Sequence, residues 1–188
     1  MARPKSEDKR NALLAAATRV IVTQGLSAPT ATIAQEAGVS NGSLFTYFET
    51  KADLLNELYL ELKADMASAA MDGFPDEASL REQFFHTWSN WMHWAMSNPE
   101  KRRAIAQLGV SEEITEASKA AGHKTMGSIG KLVESSRAKG AMRDAPIGLV
   151  LAIMNSVAEA TMDYMVQDPE NADLHCKAGV EALWRMLA

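Results

Sequence analysis

Cysteine is almost missing from this chain: Cys176 is the only one, which excludes an intramolecular disulfide and a multi-cysteine metal site and suits a reducing cytoplasm. The 11 glycines and 6 prolines are too few and too scattered for a low-complexity segment, and no repeat of solenoid period occurs. Long apolar runs are lacking too. Ile147 to Val157 is shorter than the ~20 residues that span a bilayer and contains Asn155. Ala12 to Val22 is interrupted by Arg19 and preceded by Glu7 and Asp8, where an export signal would be basic. The expectation is a cytoplasmic protein with no membrane association.

Chemistry-bearing clusters are equally scarce. His86 and His93 have no carboxylate at ligand spacing, and His123 and His175 are isolated. No phosphate-cradling glycine loop or nucleophile motif is present, so no cofactor, metal or catalytic group is expected.

What the chain does have is helical periodicity throughout its 188 residues, 47% of them hydrophobic, enough for one good core or a core with a small domain attached. The net charge of -5 is unevenly placed, with +2 on residues 1–51 and -7 on the remainder. An acidic body with a mildly basic head is compatible with docking one end against phosphate.

Arg3 and Lys5 form a short basic arm that could track along a DNA groove or remain a solvated tail. Ser6 is placed to cap a first helix burying Leu13, Ala16, Ala17, Val20 and Ile21, which Gly25 stops. The stretch Thr30 to Lys51 then reads as two short helices across a tight turn. Ala34 is the small residue at the crossing, Gly38 the turn with φ > 0, and Leu44 the apolar plug. The second of these helices, Asn41 to Phe48, should bury Leu44 and Phe48 and turn Asn41, Gly42, Ser43, Thr46 and Tyr47 outward.

Three helices with so little apolar surface need support from the rest of the chain. Thr50 and Asp53 resemble a capping box that opens a long helix through Leu54, Leu55, Leu58, Leu62 and Met66 to about Ala70. Beyond the loop Asp72 to Asp76, a helix from Ala78 to Ser97 carries most of the aromatic mass, including Phe84, Trp88, Trp91 and Trp94. Next come a short helix over Glu100 to Leu108 and a longer one over Glu112 to Lys139, capped by Ser111. Gly122, Gly127 and Gly130 in that helix cost helix stability but allow a close approach or leave space. The helix begun at Pro146 is apolar over most of its circumference, and the last, Glu170 to Leu187, has one apolar face. About nine helices result.

The segment AGVSNGSLFTYFETKADLL (Ala37 to Leu55), downstream of a helix that ends at Gly25, resembles the DNA-binding domain of the TetR family of bacterial transcriptional regulators. The resemblance is close over residues 8–58. It implies an all-α fold with a helix-turn-helix domain (residues 1–51) and a helical effector-binding and dimerisation domain (residues 52–188). It implies also a homodimer on double-stranded operator DNA, released by a small-molecule effector. Residue by residue, Asn41, Gly42 and Ser43 match positions approaching base edges, and Thr30, Phe45, Tyr47 and Lys51 match positions contacting phosphate. Asn41 can pair with adenine, Ser43 with several acceptors, and Tyr47, Thr30 and Lys51 with phosphate. Two departures stand out: Phe45 occupies a position where many relatives have Tyr, and Ala31 one where some have a long side chain.

In the body, Met66, Phe84, Trp88, Trp91, Met92, Met126 and Met154 are expected to line an apolar or aromatic effector pocket, with Asn155 and Glu159 as its polar anchor; plain core is the competing reading. Leu149, Ile153, Val157 and Tyr164, with Cys176, Val180, Leu183, Trp184 and Leu187, are the expected dimer interface. Two rival functions compete with this one: a DNA-bound interaction module with a solid body, and a small-molecule enzyme.

Overall fold

The computed structural model describes residues 4–188, with side chains from residue 7 onward; the expectations for Arg3, Lys5 and the Ser6 side chain lie outside them. The described residues form ten α-helices and one 3-10 turn, with no strand among them. In order these are α1 (Pro4–Gln24), α2 (Thr30–Glu36), α3 (Asn41–Leu44), α4 (Lys51–Ala70), α5 (Leu80–Ser97), α6 (Pro99–Gly109), α7 (Glu116–Thr125), α8 (Gly127–Arg137), α9 (Ile147–Gln167), the 3-10 turn Pro169–Asn171 and α10 (Ala172–Leu187). The helix expected to start at Ser6 starts at Pro4.

The chain divides into two compact units. One comprises Met1–Ala64 with Pro99–Lys124, the other Asp65–Asn98 with Thr125–Ala188. In the first, Leu13, Leu14, Ala17 and Ile21 of α1, Ile33 and Ala34 of α2, Leu44, Phe48 and Leu54, Leu55 and Leu58 of α4 share one buried cluster. The support that three small helices needed comes partly from a sequence-distant segment: Ala104, Leu108 and Ile114 complete this cluster. Arg10 of α1 binds Glu57 of α4 and lies over the Phe48 ring, 5.9 Å from its centroid, and Arg19 donates to Glu36 at 2.7 Å.

The second unit is built from the end of α4 with α5, α8, α9 and α10. The capping box of α5 is made by Ser79 and Glu82, so that helix begins at Leu80 rather than Ala78. Phe84, Trp88, Met92 and Ala95 of α5 are buried with Leu132 and Val133 of α8, Met154, Ala158 and Met162 of α9, and Cys176, Val180, Leu183 and Leu187 of α10. Trp184 packs on Phe84 and Phe85, with ring centroids 5.7 and 6.4 Å apart.

Further along the chain, other expected boundaries move. The helix expected over Glu112 to Lys139 is two, α7 and α8, broken at Met126, where the chain also passes from one unit to the other. Ser111 accepts from the Glu113 N–H at 3.1 Å and shapes the turn, whereas Thr115 accepts from Ser118 N–H and caps α7. The last helix starts at Ala172, because Pro169–Asn171 closes first as a 3-10 turn.

Candidate nucleic-acid interface

The turn between α2 and α3 is fixed by backbone hydrogen bonds. Gly38 has φ +70°, its N–H donates to Gln35 O at 3.0 Å, and the Val39 N–H reaches Ala34 O at 2.9 Å. This pair of bonds is a Schellman closure, and Val39 packs back on the core as the motif requires. Ser40 then caps α3, its side chain accepting from the Ser43 N–H at 3.2 Å. The regular helix is only Asn41–Leu44, shorter than the Asn41 to Phe48 expected; the chain continues through turns, with Phe48 N–H still bonded to Leu44 O.

Asn41 and Gly42 are exposed at the start of α3, and a Cβ on Gly42 would meet nothing within 4 Å, so the backbone there can approach a ligand closely. Ser43 is partly buried. Thr46 is exposed, but its hydroxyl donates to Ser43 O at 2.6 Å, leaving it an acceptor for anything it meets. Tyr47 packs partly against the core, and Phe45 is 44% exposed with no polar atom to offer. Thr30 opens α2 after Pro29 and Lys51 opens α4; both are partly buried. The expected Thr50–Asp53 box is present, with the Asp53 N–H donating to Thr50 Oγ1 at 3.1 Å and Thr50 N–H to Asp53 Oδ2 at 3.0 Å. Arg10 and Arg19 of α1 are engaged in ion pairs within the unit, and Lys51 is the one basic side chain within residues 30–51.

In the second unit, Met66, Phe84, Trp88, Met92 and Met154 are each buried, and Trp91 and Met126 are partly buried. The Trp88 and Trp91 rings meet edge to face at 5.8 Å. Asn155 and Glu159 are corrected: both are exposed on α9 while the neighbouring Met154 and Ala158 are buried, so they do not anchor a pocket in this core. His86 and His93 lie against Asp72 O and Asp173 Oδ1, and the described residues hold no group of three or more His, Cys, Asp or Glu that could bind a metal ion.

The interface expectation splits between the two helices. On α9, Leu149 and Tyr164 are 52% and 60% exposed, and Ile153 and Val157 are partly buried along the same stripe. On α10 the apolar face is used within its own chain: Cys176, Val180, Leu183 and Leu187 are buried and Trp184 is half-buried against Phe84. Burial also raises the Cys176 thiol's pKa. A face already packed inside its own chain cannot meet a second copy, so these α10 residues are corrected to core. The outward side of α10 carries Leu174, 64% exposed, and Ala178. Sequence reading passed over these two because one Leu and an Ala make a weak stripe beside the stronger one of Val180 and Leu183.

An all-helical chain whose N-terminal unit presents a short, capped helix across a Schellman turn has the helix-turn-helix architecture found in DNA-binding transcription regulators. Residues 13–58 match the family described as bacterial regulatory proteins, tetR family. The chain is similar over 94% of its length to 96% of a protein from Shewanella sp. PV-4 assigned to the tetR family of transcription regulators, at 29% identity and TM-score 0.84. It is likewise similar over 99% of its length to 98% of a TetR family transcription regulator from Marinobacter aquaeolei VT8, at 24% identity and TM-score 0.89. The fold extends at 16% identity and TM-score 0.70 to FadR from Bacillus subtilis, solved in complex with stearoyl-CoA, covering 95% of this chain and 99% of that one. Residues 13–58 thus match the tetR family's DNA-binding domain, and the whole chain has the fold of tetR family regulators.

Proposed function

We propose that this chain binds a palindromic operator as a homodimer in the cytoplasm, represses transcription there, and is released by a small, largely apolar effector. The observation that carries the DNA-binding part is the exposed Asn41–Gly42 edge of α3, held rigidly by the Gly38 turn and the Ser40 cap. Asn41, Ser43 and Thr46 read base edges, while Thr30, Tyr47 and Lys51 hold phosphate. Residues 1–51 act as the DNA-binding domain and 52–188 as the effector-binding and dimerisation domain. In a two-fold dimer the two α3 helices read half-sites about one helical turn apart, ~34–36 Å.

The dimer face is assigned to the exposed stripe of α9, Leu149, Ile153, Val157 and Tyr164, continued by Leu174 and Ala178 of α10. The effector site is assigned to the second unit, where the flexible side chains of Met66, Met92 and Met154 are buried and Met126 and Trp91 are partly buried. The stearoyl-CoA complex of the FadR protein, and the proflavine complex of LfrR from Mycobacterium smegmatis, support an apolar or aromatic ligand class.

Duplexes selected from a random-sequence pool by the full chain, then titrated at fixed salt, test the DNA assignment. Tyr47→Phe and Lys51→Ala should weaken binding to all sequences, and Asn41→Ala should also relax base preference. Unchanged affinity in all three removes the assignment. A second reading, a DNA-bound interaction module without an effector, is favoured by the mutual packing of Phe84, Phe85 and Trp184. Acyl-CoA and acridine probes that neither perturb the tryptophan fluorescence nor lower DNA affinity would support it.

A further inference from the structure

One polar side chain in the first unit has more partners than its place on a helix surface requires. The Asn56 amide of α4 donates to Ala52 O and to Glu113 O, each at 2.8 Å, and its Oδ1 accepts from the Thr115 N–H at 2.9 Å and the Thr115 hydroxyl at 3.2 Å. Thr115 is itself the cap of α7 through Ser118 N–H. Asn56 therefore fastens the turn between α6 and α7 to the first turns of α4, across 57 to 59 residues of sequence.

The same face of α4 carries a second tie. Tyr59, three residues on, is buried, and a Cβ on Gly122 of α7 would lie 2.9 Å from Tyr59 Cε1, so α7 is seated on the ring with no space between them. Ile114, between the two Asn56 partners, is buried in the core that holds Leu44 and Phe48. The segment Pro99–Lys124 is thus joined to the DNA-facing unit by side-chain amide bonds as well as by apolar contact, and those bonds fall one turn behind Lys51.

We propose that Asn56 is a positioning residue for DNA binding: by tying the α6–α7 turn to α4, it fixes the N-terminal end of α4 and with it Lys51. An amide suits this task because it satisfies a carbonyl and an N–H at once, so neither group of the turn is left unpaired. A hydrophobic side chain would pack there without setting the register between turn and helix. The proposal rests on the reading of Lys51 as a phosphate contact.

The test is a double-mutant cycle on the full chain with a duplex selected from a random pool, titrated over a range of salt. Asn56→Ala should lower affinity about tenfold and reduce the salt slope by about one, as Lys51→Ala does, and the double variant should lose little beyond either single one. A purely structural role would leave the salt slope unchanged. Hydrogen exchange in folded Asn56→Ala should quicken together at residues 111–118 and 51–58. Should Asn56→Ala fold poorly, Asn56→Asp keeps the acceptor for Thr115 and loses the donor to Glu113, and should show the same slope change at smaller amplitude. Wild-type affinity and slope in these variants, or an equal loss with and without Lys51, overturns the proposal. An effect of Asn56→Ala beside a silent Lys51→Ala overturns it too while leaving DNA binding intact. Failure of the wild-type chain to select any duplex overturns the DNA reading itself.

Discussion

The indole N–H of Trp88 donates to the carbonyl oxygen of Cys176 at 3.1 Å, joining α5 to α10, and Gly179 lies one turn along α10 from that bond. A Cβ on Gly179 would sit 2.4 Å from Thr161 Oγ1 and 3.1 Å from Trp88 Cζ2. Gly179→Ala should therefore force α9 and α5 away from α10 and destabilise the chain by about 1–3 kcal/mol, measured by denaturant unfolding. Trp88→Phe, which loses the hydrogen bond and part of the ring, should cost a similar ~1–3 kcal/mol.

Gly38 is the second position where a glycine is demanded, for conformation rather than space. Nothing lies within 4 Å of a Cβ there, yet φ is +70°. Gly38→Ala should cost about 1 kcal/mol of stability in a thermal melt, and Gly38→Val more, because a β-branched residue is still less tolerant of that region.

Phe45 offers a gain-of-function check. Its ring is 44% exposed beside the base-reading edge. Phe45→Tyr should tighten binding to selected and unrelated duplexes by the same factor, several-fold at low salt, since a phenol adds a phosphate donor without reading sequence. A change in sequence preference would contradict the phosphate-side placement.

The two sides of the α9–α10 pair should respond oppositely to charge. Leu149→Glu and Tyr164→Glu, on exposed positions, should leave the fold intact and shift the chain toward monomer in sedimentation velocity. Leu183→Glu, at 1% exposure, should unfold the second unit instead, because a carboxylate there has no partner.

Acid should loosen the junction between α9 and α10. Asp168 accepts from His175 at 2.9 Å and from the Asn171 amide, and these bonds hold its carboxyl below the ordinary aspartate value. A carboxyl depressed in the fold contributes stability above its unfolded value and loses it as pH falls through the folded one. Thermal melts should therefore show wild type losing more stability than Asp168→Asn on acidification through the carboxylate range. The difference should be small, as the group is exposed.

Much of the fold was legible residue by residue. The Gly25 and Gly38 stops, the Thr50–Asp53 box and the 3.6-residue periodicity of α1, α4, α5 and α9 are local features, and each lies where its side-chain chemistry says. The break at Met126 was not legible, because the glycines around it are tolerated within a helix as readily as they interrupt one. What the apolar face of α10 packs against was not legible either. Its one apolar face, with Cys176, Val180, Leu183 and Leu187, could have met a second copy or its own core, and burial within its own chain made it core.

The sequence by itself determined the local helix-turn-helix geometry, because a Schellman glycine and a serine cap act over a few residues, while Ala104, Leu108 and Ile114 complete the core beneath it. Tertiary structure decided the rest. Cys176 and Leu183 became core and not surface, Asn155 and Glu159 faced outward, and Asn56 acquired partners 57 to 59 residues away. An exposed-looking asparagine on a helix carries no mark of what will dock on it. Its role exists only once Pro99–Lys124 folds back to supply a carbonyl and an N–H at hydrogen-bond distance.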